Sequence, residues 1–210
     1  MLAKTYGCAV FGVDARTITV EVNVGQGTRF WMSGLPDSAI KESEHRIESA
    51  VKQFRYFMPR EKTVVNLAPA DIRKEGSAYD LPIALCVLKA SGQIQTERLE
   101  DFVIMGELAL DGTLRPIKGV LPIAIQARNE GVKGFILPKD NEREAAIVDG
   151  LAVYGVANLR EAIDFLESSV ALQPVQVSAK EIFSSQLNNY DSDFSDVQGQ
   201  ENIKRAMEIA

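Results

Sequence analysis

Apolar and polar residues follow strand and helix patterns along the first part of the chain. The segment Ile18–Val24 alternates apolar with polar residues, which predicts a half-buried strand. Gly25–Gly27 follows directly and is typical of a hairpin turn into a second strand over Thr28–Met32. Asp37 is placed to cap a helix that runs to about Phe54, because apolar residues recur along one face of that segment.

The centre of the chain continues to mix short strands with helices. A short apolar run predicts a strand over Thr63–Leu67, and Asp80 is placed to cap the next helix. Asp111-Gly112 is the strongest short hairpin signal in the sequence, since this dipeptide fits a tight turn with positive φ. Strands do not alternate strictly with helices, which favours an α+β fold over a doubly wound parallel sheet. The remaining predicted strands are Phe102–Leu110, Thr113–Arg115, Phe135–Leu137 and Leu151–Tyr154, and the remaining helices are Leu121–Gly131 and Asn158–Leu166.

The composition changes after the last of these helices. Residues 168–193 are rich in Ser, Gln and Asn, which predicts a polar linker after a domain over residues 1–167. Within residues 194–210, Ile203 and Met207 share one helical face with Ala206 and Ala210. That helix has no stop signal, so we expect residues 194–210 to be the truncated start of a second domain.

Composition and charge limit the classes of function. The chain has 23 Lys and Arg residues against 29 Asp and Glu residues, which gives a net charge of −6. Any nucleic-acid contact is therefore expected to be a local patch, or one pooled from several copies. The sequence has no apolar run long enough for a membrane helix and no secretory signal pattern. Cys8 and Cys86 lie in apolar segments, which indicates reduced thiols in a cytoplasmic protein, and the single histidine, His45, argues against a zinc site.

Two segments, DIRKEGSAYDLPIALCVL (Asp71–Leu88) and Met105–Glu142, resemble the proteolytic domain of Lon-type proteases. In that family the first segment supplies a serine nucleophile at a helix start and the second supplies a lysine base. The resemblance implies a Lon-like, ribosomal-protein-type two-layer fold, with Ala78 at the nucleophile position and Leu121 at the base position. Neither side chain can attack a carbonyl or accept a proton, so we predict a domain without catalytic residues.

One alternative retains protease activity, with Ser77 as the nucleophile. Ser77 is adjacent to Ala78, with Lys74 and Lys118 nearby in sequence, and a shift of one residue would place its hydroxyl in the site. A backbone hydrogen bond in a tight turn explains Ser77 without chemistry. An active serine protease that uses Ser77 remains an alternative.

The whole chain resembles the magnesium-chelatase-related AAA+ proteins called ComM or YifB. The resemblance rests on YGCAVFGVDA, NLAPADIRKEGSAYDLPIAL and DFSDVQGQENIKRAMEIA, which together extend from the start of the chain to its end. It implies a Lon-like domain ahead of a AAA+ ATPase, in a homo-hexameric DNA helicase that drives branch migration during natural transformation. The partners implied in this way are the protein's own AAA+ domain, identical subunits and single-stranded or branched DNA.

The same resemblance implies ATP and Mg²⁺ as cofactors of the full-length protein. The phosphate-binding motif GxxxxGK[ST] is absent from these 210 residues, so no cofactor and no metal site are expected in this fragment. Val197, Gly199 and Gln200 would lie near the adenine, at the entry to the ATPase domain. Hydrolysis of ATP is therefore not expected of this chain.

Two sets of basic residues are candidates for DNA contact. In the first set, basic and aromatic residues are interleaved, which suits single strands because bases stack on rings while cations bind phosphates. The alternative is that the aromatic residues are core and the charges are merely solvated. The second set converges if the two Lon-like segments are adjacent. The first set is Arg55, Tyr56, Arg60 and Lys62, and the second is Arg73, Lys74, Arg115 and Lys118.

These observations favour a non-proteolytic accessory domain that assembles subunits and guides DNA. A ring of six copies can bring basic residues to one axis although each subunit is acidic overall. The alternatives are the Ser77 protease and a protein-binding adaptor with no role on DNA.

Overall fold

The computed structural model describes residues 1–177 and 199–209. These residues fall into two compact units, Met1–Gln176 and Val177–Ala210. Most of the predicted linker, from residue 178 to residue 193, lies outside the described residues.

Within residues 1–177, seven strands form one mixed sheet and two more form a separate hairpin. The strands are β1 (Leu2–Phe11), β2 (Asp14–Gly25), β3 (Phe30–Ser33), β4 (Lys62–Ala68), β5 (Phe102–Ile104), β6 (Glu107–Leu108), β7 (Leu114–Arg115), β8 (Gly134–Pro138) and β9 (Val153–Val156). The order in the large sheet is β3-β4-β2-β1-β5-β8-β9, and β6 pairs with β7.

Most pairings in the large sheet are parallel. β2 runs antiparallel to β1 and to β4, whereas β3–β4, β1–β5, β5–β8 and β8–β9 are parallel. Parallel strands have to be buried on both faces, and Phe135, Ile136 and Leu137 of β8 are accordingly fully buried. The fold is therefore mixed α/β with a mostly parallel central sheet, which is more parallel pairing than the predicted α+β class implies.

The predicted hairpin at Gly25–Gly27 is wrong, although a turn is present there. β2 ends at Gly25 and β3 begins at Phe30, but β4 lies between them and pairs with both. Val22 of β2 pairs with Val65 of β4, and Met32 of β3 pairs with Val65 from its other side. The turn signal predicted β3 as the neighbour of β2, but β4, which is distant in sequence, occupies that position in the sheet.

Helices and short 3-10 turns connect the strands of this unit. They are α1 (Ser38–Lys41), α2 (Ser43–Gln53), α3 (Asp80–Ala90), α4 (Val120–Asn129), α5 (Glu142–Ala145) and α6 (Leu159–Leu166), with 3-10 turns at Ser77–Tyr79, Leu99–Asp101 and Lys139–Asn141. α3 packs on β1 and β2, and nearly all of it is buried, so it forms the centre of the core.

Two of the three predicted helix caps are confirmed. Asp37 accepts from Ile40 N at 2.9 Å, and Asn158 accepts from Glu161 N at 3.0 Å. The prediction that Asp80 caps its helix is wrong, since Asp80 is the first residue of α3 and makes no capping hydrogen bond. Its carboxylate is directed to Arg46 of α2 instead.

In the second unit, Glu201–Ile209 forms a helix, α7, as the apolar spacing predicts. Ile203 and Met207 are exposed on it. Among the described residues, none of the helices is both long and apolar enough to span a bilayer.

Candidate functional site

The two Lon-like segments are adjacent, as expected. Gly106 N donates to Ala78 O at 2.7 Å, and Leu81 N donates to Gly106 O at 3.0 Å. These bonds tie the start of α3 to the chain that enters β6. The Cβ of any larger residue at Gly106 would lie 3.0 Å from the Leu114 side chain, which would have to shift by a few tenths of an ångström to make room.

A cleft of about 800 Å³ opens between these two segments. One wall is the end of β1, a second is the turn ahead of α3, and a third is the segment between β7 and α4. Its lining includes Val10, Phe11, Arg73, Ser77, Glu107 and Lys118. The cleft therefore combines apolar surface with charges of both signs.

Ser77 lines this cleft, but its hydroxyl is already engaged. It donates to Glu107 Oε2, and the other oxygen of Glu107 lies 3.5 Å from Arg115 Nη1. Within residues 1–177, no lysine amine forms a hydrogen bond with Ser77 Oγ. The arrangement is a hydroxyl, a carboxylate and a guanidinium, which lacks the amine base that the Lon-like mechanism requires.

Lys74 does not fit the role of a DNA contact, because it is fully buried. Its amine donates to Gly34 O at 2.8 Å and also to Pro69 O. Burial lowers the pKa of this amine below its usual range. Lys74 therefore holds together the loops behind the cleft and is withdrawn from solvent, which corrects the sequence-based expectation.

The two positions that the Lon resemblance marks as degenerate lie in different surroundings. Ala78 lines the cleft, in the turn ahead of α3. Leu121 is 39% exposed near the start of α4 and is not part of the cleft lining, whereas Lys118 and Ile123 on either side of it are. Lys118 is therefore the lysine that this cleft presents.

The two arginines of the second set each lie beside an acidic residue of the cleft lining. Arg73 lines the cleft, and its Nε lies 3.1 Å from Glu75 Oε1. Arg115 is 65% exposed and pairs with Glu107, as described above. Of this set, Arg73 and Lys118 line the cleft, Arg115 lies outside the lining and pairs with Glu107 of the lining, and Lys74 is buried.

The first basic set surrounds the end of α2. Arg55, Arg60 and Lys62 are exposed, as a nucleic-acid contact requires. Tyr56 is only partly exposed: its hydroxyl accepts from Arg160 Nη1 at 3.0 Å, and the Arg160 guanidinium lies 5.3 Å from the ring centroid. Tyr56 is therefore occupied by a partner from α6.

A buried ion pair supports the cleft from behind. Arg46 of α2 donates to both oxygens of Asp80, at 2.7 Å and 2.9 Å, and to Ala39 O at 2.7 Å. Asp80 also accepts from Leu108 N at 3.2 Å, so it connects α2, α3 and β6. Burial raises the pKa of Asp80 to about 6, against the opposing effect of Arg46.

Several of these residues are not visible as site residues in the sequence. Glu107 is one of 29 Asp and Glu residues in the sequence, and the pairing of Arg46 with Asp80 joins residues 34 positions apart. Asn141 accepts from Ile117 N at 2.8 Å and donates to Ile117 O at 3.1 Å, which fixes a wall of the cleft. The one sequence signal for Asn141 is that it lies within the Lon-like segment Met105–Glu142.

The residues expected near an adenine give little to bind one. Val197 lies outside the described residues. Gly199 and Gln200 are exposed and have φ of 74° and 62°, in a turn just before α7. Exposed turn residues without a phosphate-binding motif do not form a nucleotide site. Among the described residues, no group of three His, Cys, Asp or Glu side chains is placed to hold a metal ion.

Comparison with known proteins finds relatives that match nearly the whole chain. It is 40% identical over 202 residues to YifB of Escherichia coli (strain K12), covering 96% of this chain and 39% of that protein. It is 37% identical over 210 residues to competence protein ComM of Haemophilus influenzae, covering 100% of this chain and 41% of that protein. A shorter match, 34% identical over 116 residues, links 55% of the chain to 24% of DNA repair protein RadA of Aquifex aeolicus.

The chain thus spans about two-fifths of the length of YifB and ComM. The family model for subunit ChlI of Mg-chelatase matches residues 20–141, a range that includes part of β2, α3, the β6–β7 hairpin and the cleft walls other than β1. This match covers more than half of the chain, and the chain belongs to the family of ChlI, the Mg-chelatase subunit.

Proposed function

We propose that residues 1–167 form a Lon-like, non-proteolytic accessory domain of a cytoplasmic AAA+ ATPase that acts on DNA. The domain would assemble identical subunits and guide DNA into the motor. The observation that carries the first half of this proposal is the state of Ser77. Its hydroxyl donates to Glu107, which also pairs with Arg115, and Ala78 stands beside it in the cleft.

The chemistry of that arrangement argues against peptide hydrolysis. A serine nucleophile needs a base that takes its proton, and in Lon-type sites this base is a lysine amine. Lys74 cannot supply it, because its amine is bound to Gly34 O and Pro69 O.

The DNA half of the proposal is supported by the relatives and by the distribution of charge. One relative is named a DNA repair protein, and the resemblance to ComM implies a helicase that drives branch migration during natural transformation. The net charge of −6 requires local contacts, and exposed basic residues are present at the cleft and after α2. In this proposal ATP and Mg²⁺ bind the remaining part of the longer protein, which works as a homo-hexamer.

The test combines a nucleophile probe with a DNA titration. We expect a fluorophosphonate serine probe to leave the wild-type chain unlabelled, and Ser77→Ala to behave identically. Labelling that disappears in Ser77→Ala would establish the protease instead. We expect the chain to bind single-stranded and branched DNA with an affinity that falls as salt rises.

A protein-binding adaptor without a DNA role is the second candidate. It is favoured by the β1–β2 turn, where Val13 is 87% exposed and Phe11, at the cleft, is 46% exposed. The absence of DNA binding at low salt, by this chain and by the longer protein, would support the adaptor over the DNA role.

A further inference from the structure

The segment from Arg55 to Lys62 presents an exposed aromatic ring among basic side chains. Phe57 is 58% exposed, more than Trp31 at 51%. The segment has three exposed basic residues and one acidic residue: Arg55, Arg60, Lys62 and Glu61. Within residues 1–177, none of these three basic side chains forms an ion pair, so their charges are available to a ligand.

Phe57 is presented from a fixed backbone rather than from a loose loop. Its N–H donates to Gln93 Oε1 at 2.9 Å, and its carbonyl accepts from Gln93 Nε2 at 2.9 Å. Gln93 Nε2 also donates to Ser91 Oγ at 2.7 Å, which orients the amide. A backbone held in this way loses little conformational entropy when Phe57 binds, so exposure of the ring and an ordered backbone occur together at one residue.

Arg55 occupies a backbone position that favours glycine. α2 ends with Arg55 N donating to Lys52 O and Tyr56 N donating to Val51 O, each at 3.1 Å. This is the Schellman pattern, whose left-handed residue is usually glycine, and Arg55 has φ of 65°. The left-handed conformation costs a non-glycine residue about 1 kcal/mol.

We propose that Phe57 stacks on a base of single-stranded DNA and that the basic side chains of the Arg55–Lys62 segment bind the adjacent phosphates. This inference rests on the proposed DNA role and assigns a contact residue to it. It also replaces Tyr56 as the stacking residue, because the Tyr56 ring and hydroxyl are both engaged by Arg160.

The chemistry of the segment favours a single strand over a protein partner. A protein interface needs a broad apolar patch, whereas one exposed ring flanked by cations is the combination that binds unpaired bases and their phosphates. Met58 and Pro59 next to Phe57 are only partly exposed, so the apolar surface here is small.

The test is a fluorescence-anisotropy titration of labelled oligo(dT) with the 210-residue chain at several salt concentrations. We expect Phe57→Ala to weaken binding by roughly 5- to 100-fold, the usual effect of losing one stacked base. Phe57→Leu should weaken it nearly as much, and Phe57→Trp should retain it, because stacking needs an aromatic face and not bulk alone. Leu110→Ala, at a residue 61% exposed on another turn, is the matched control and should change nothing.

Salt dependence separates the stacking contact from the ionic ones. Phe57→Ala should leave the slope of log affinity against log salt unchanged, whereas Arg60→Gln should reduce its magnitude by about 0.7. Circular dichroism and thermal unfolding should match the wild type, because both side chains are exposed.

The outcomes distinguish this inference from the proposal beneath it. If the wild-type chain binds DNA and Phe57→Ala binds equally well, Phe57 is not the contact, while the DNA role stands. Full retention of affinity by Phe57→Leu would also overturn stacking. If the wild-type chain shows no affinity for oligo(dT) even at low salt, the Phe57 contact is overturned, whereas the DNA role falls only if the longer protein and branched DNA show no binding either.

Discussion

The buried pair between Arg46 and Asp80 allows a quantitative test of what holds this fold together. The Asp80 side chain is fully buried, and the Arg46 side chain is 20% exposed. Replacing Arg46 by Leu leaves a buried carboxylate whose remaining hydrogen bond comes from Leu108 N at 3.2 Å. We expect this variant to lose about 3–5 kcal/mol of unfolding free energy near pH 8, the usual cost of leaving a buried charge unpaired.

The loss should shrink in acid, because the carboxyl group can become neutral. Burial raises the pKa of Asp80 from its ordinary 3.8 to about 6, so the folded state holds this proton more tightly than the unfolded chain does. Asp80 therefore favours the fold fully below pH 3.8, and this contribution is lost as the pH rises through about 6. Each pKa unit is worth about 1.4 kcal/mol, so the whole change is about 3 kcal/mol.

Removal of Arg46 raises the pKa of Asp80 further, since its largest opposing cause is gone. Near pH 5 the variant then holds a neutral carboxyl group that needs no cation. We expect the loss of unfolding free energy to fall to about 1–2 kcal/mol there, the value of hydrogen bonds alone.

The assay is urea unfolding followed by circular dichroism, near pH 5 and near pH 8. Lys52→Leu is the control, because Lys52 is on the same helix and pairs with Glu48 at 2.7 Å on the surface. Its loss should stay below about 0.5 kcal/mol at both pH values. An equal loss for Arg46→Leu at the two pH values would refute the reasoning, since an unpaired carboxylate has to respond to protonation.

Three further substitutions test other contacts by thermal unfolding. Asn141→Ala should cost about 2–3 kcal/mol, because it leaves both backbone groups of buried Ile117 without partners, and a loss under about 0.5 kcal/mol would contradict this. Arg55→Gly should stabilise the fold by about 0.5–1 kcal/mol while it weakens DNA binding, and a lower melting temperature would show that φ of 65° carries no strain. Gly155→Ala should cost about 1–3 kcal/mol, since its new Cβ would lie 2.8 Å from Cβ of Glu142; an unchanged melting temperature would show that α5 yields freely.

Features decided by neighbours in sequence could be predicted from it. Asn158 caps α6 through Glu161 N, only three residues further along the chain. The Asp111-Gly112 turn forms because Asp111 accepts from Thr113 N at 3.0 Å. The β6–β7 hairpin across that turn is confirmed, with Glu107 opposite Arg115. The predicted strand over Phe102–Leu110 was too long, since β5 ends at Ile104 and the chain then leaves the large sheet.

Features decided by distant residues could not be predicted in this way. Asp80 resembled a cap because it stands at the start of a helix, but its side-chain partner is Arg46 of α2, which the sequence near Asp80 does not reveal. Lys74 looked like a surface cation, and only the fold brings Gly34 O to its amine. The adjacency of the Lon-like segments was predictable because a long motif encodes their packing, whereas the Ser77–Glu107 hydrogen bond was not.

The enclosed amine of Lys74 makes this residue a built-in reporter. Acylating reagents modify free amines in water, and the exposed lysines of the chain, such as Lys118, should react quickly. Lys74, with its amine bound to two carbonyl groups, should react only when the loops that carry Gly34 and Pro69 separate. The rate of its acylation, followed by mass spectrometry, therefore measures how often these two loops separate, without any mutation.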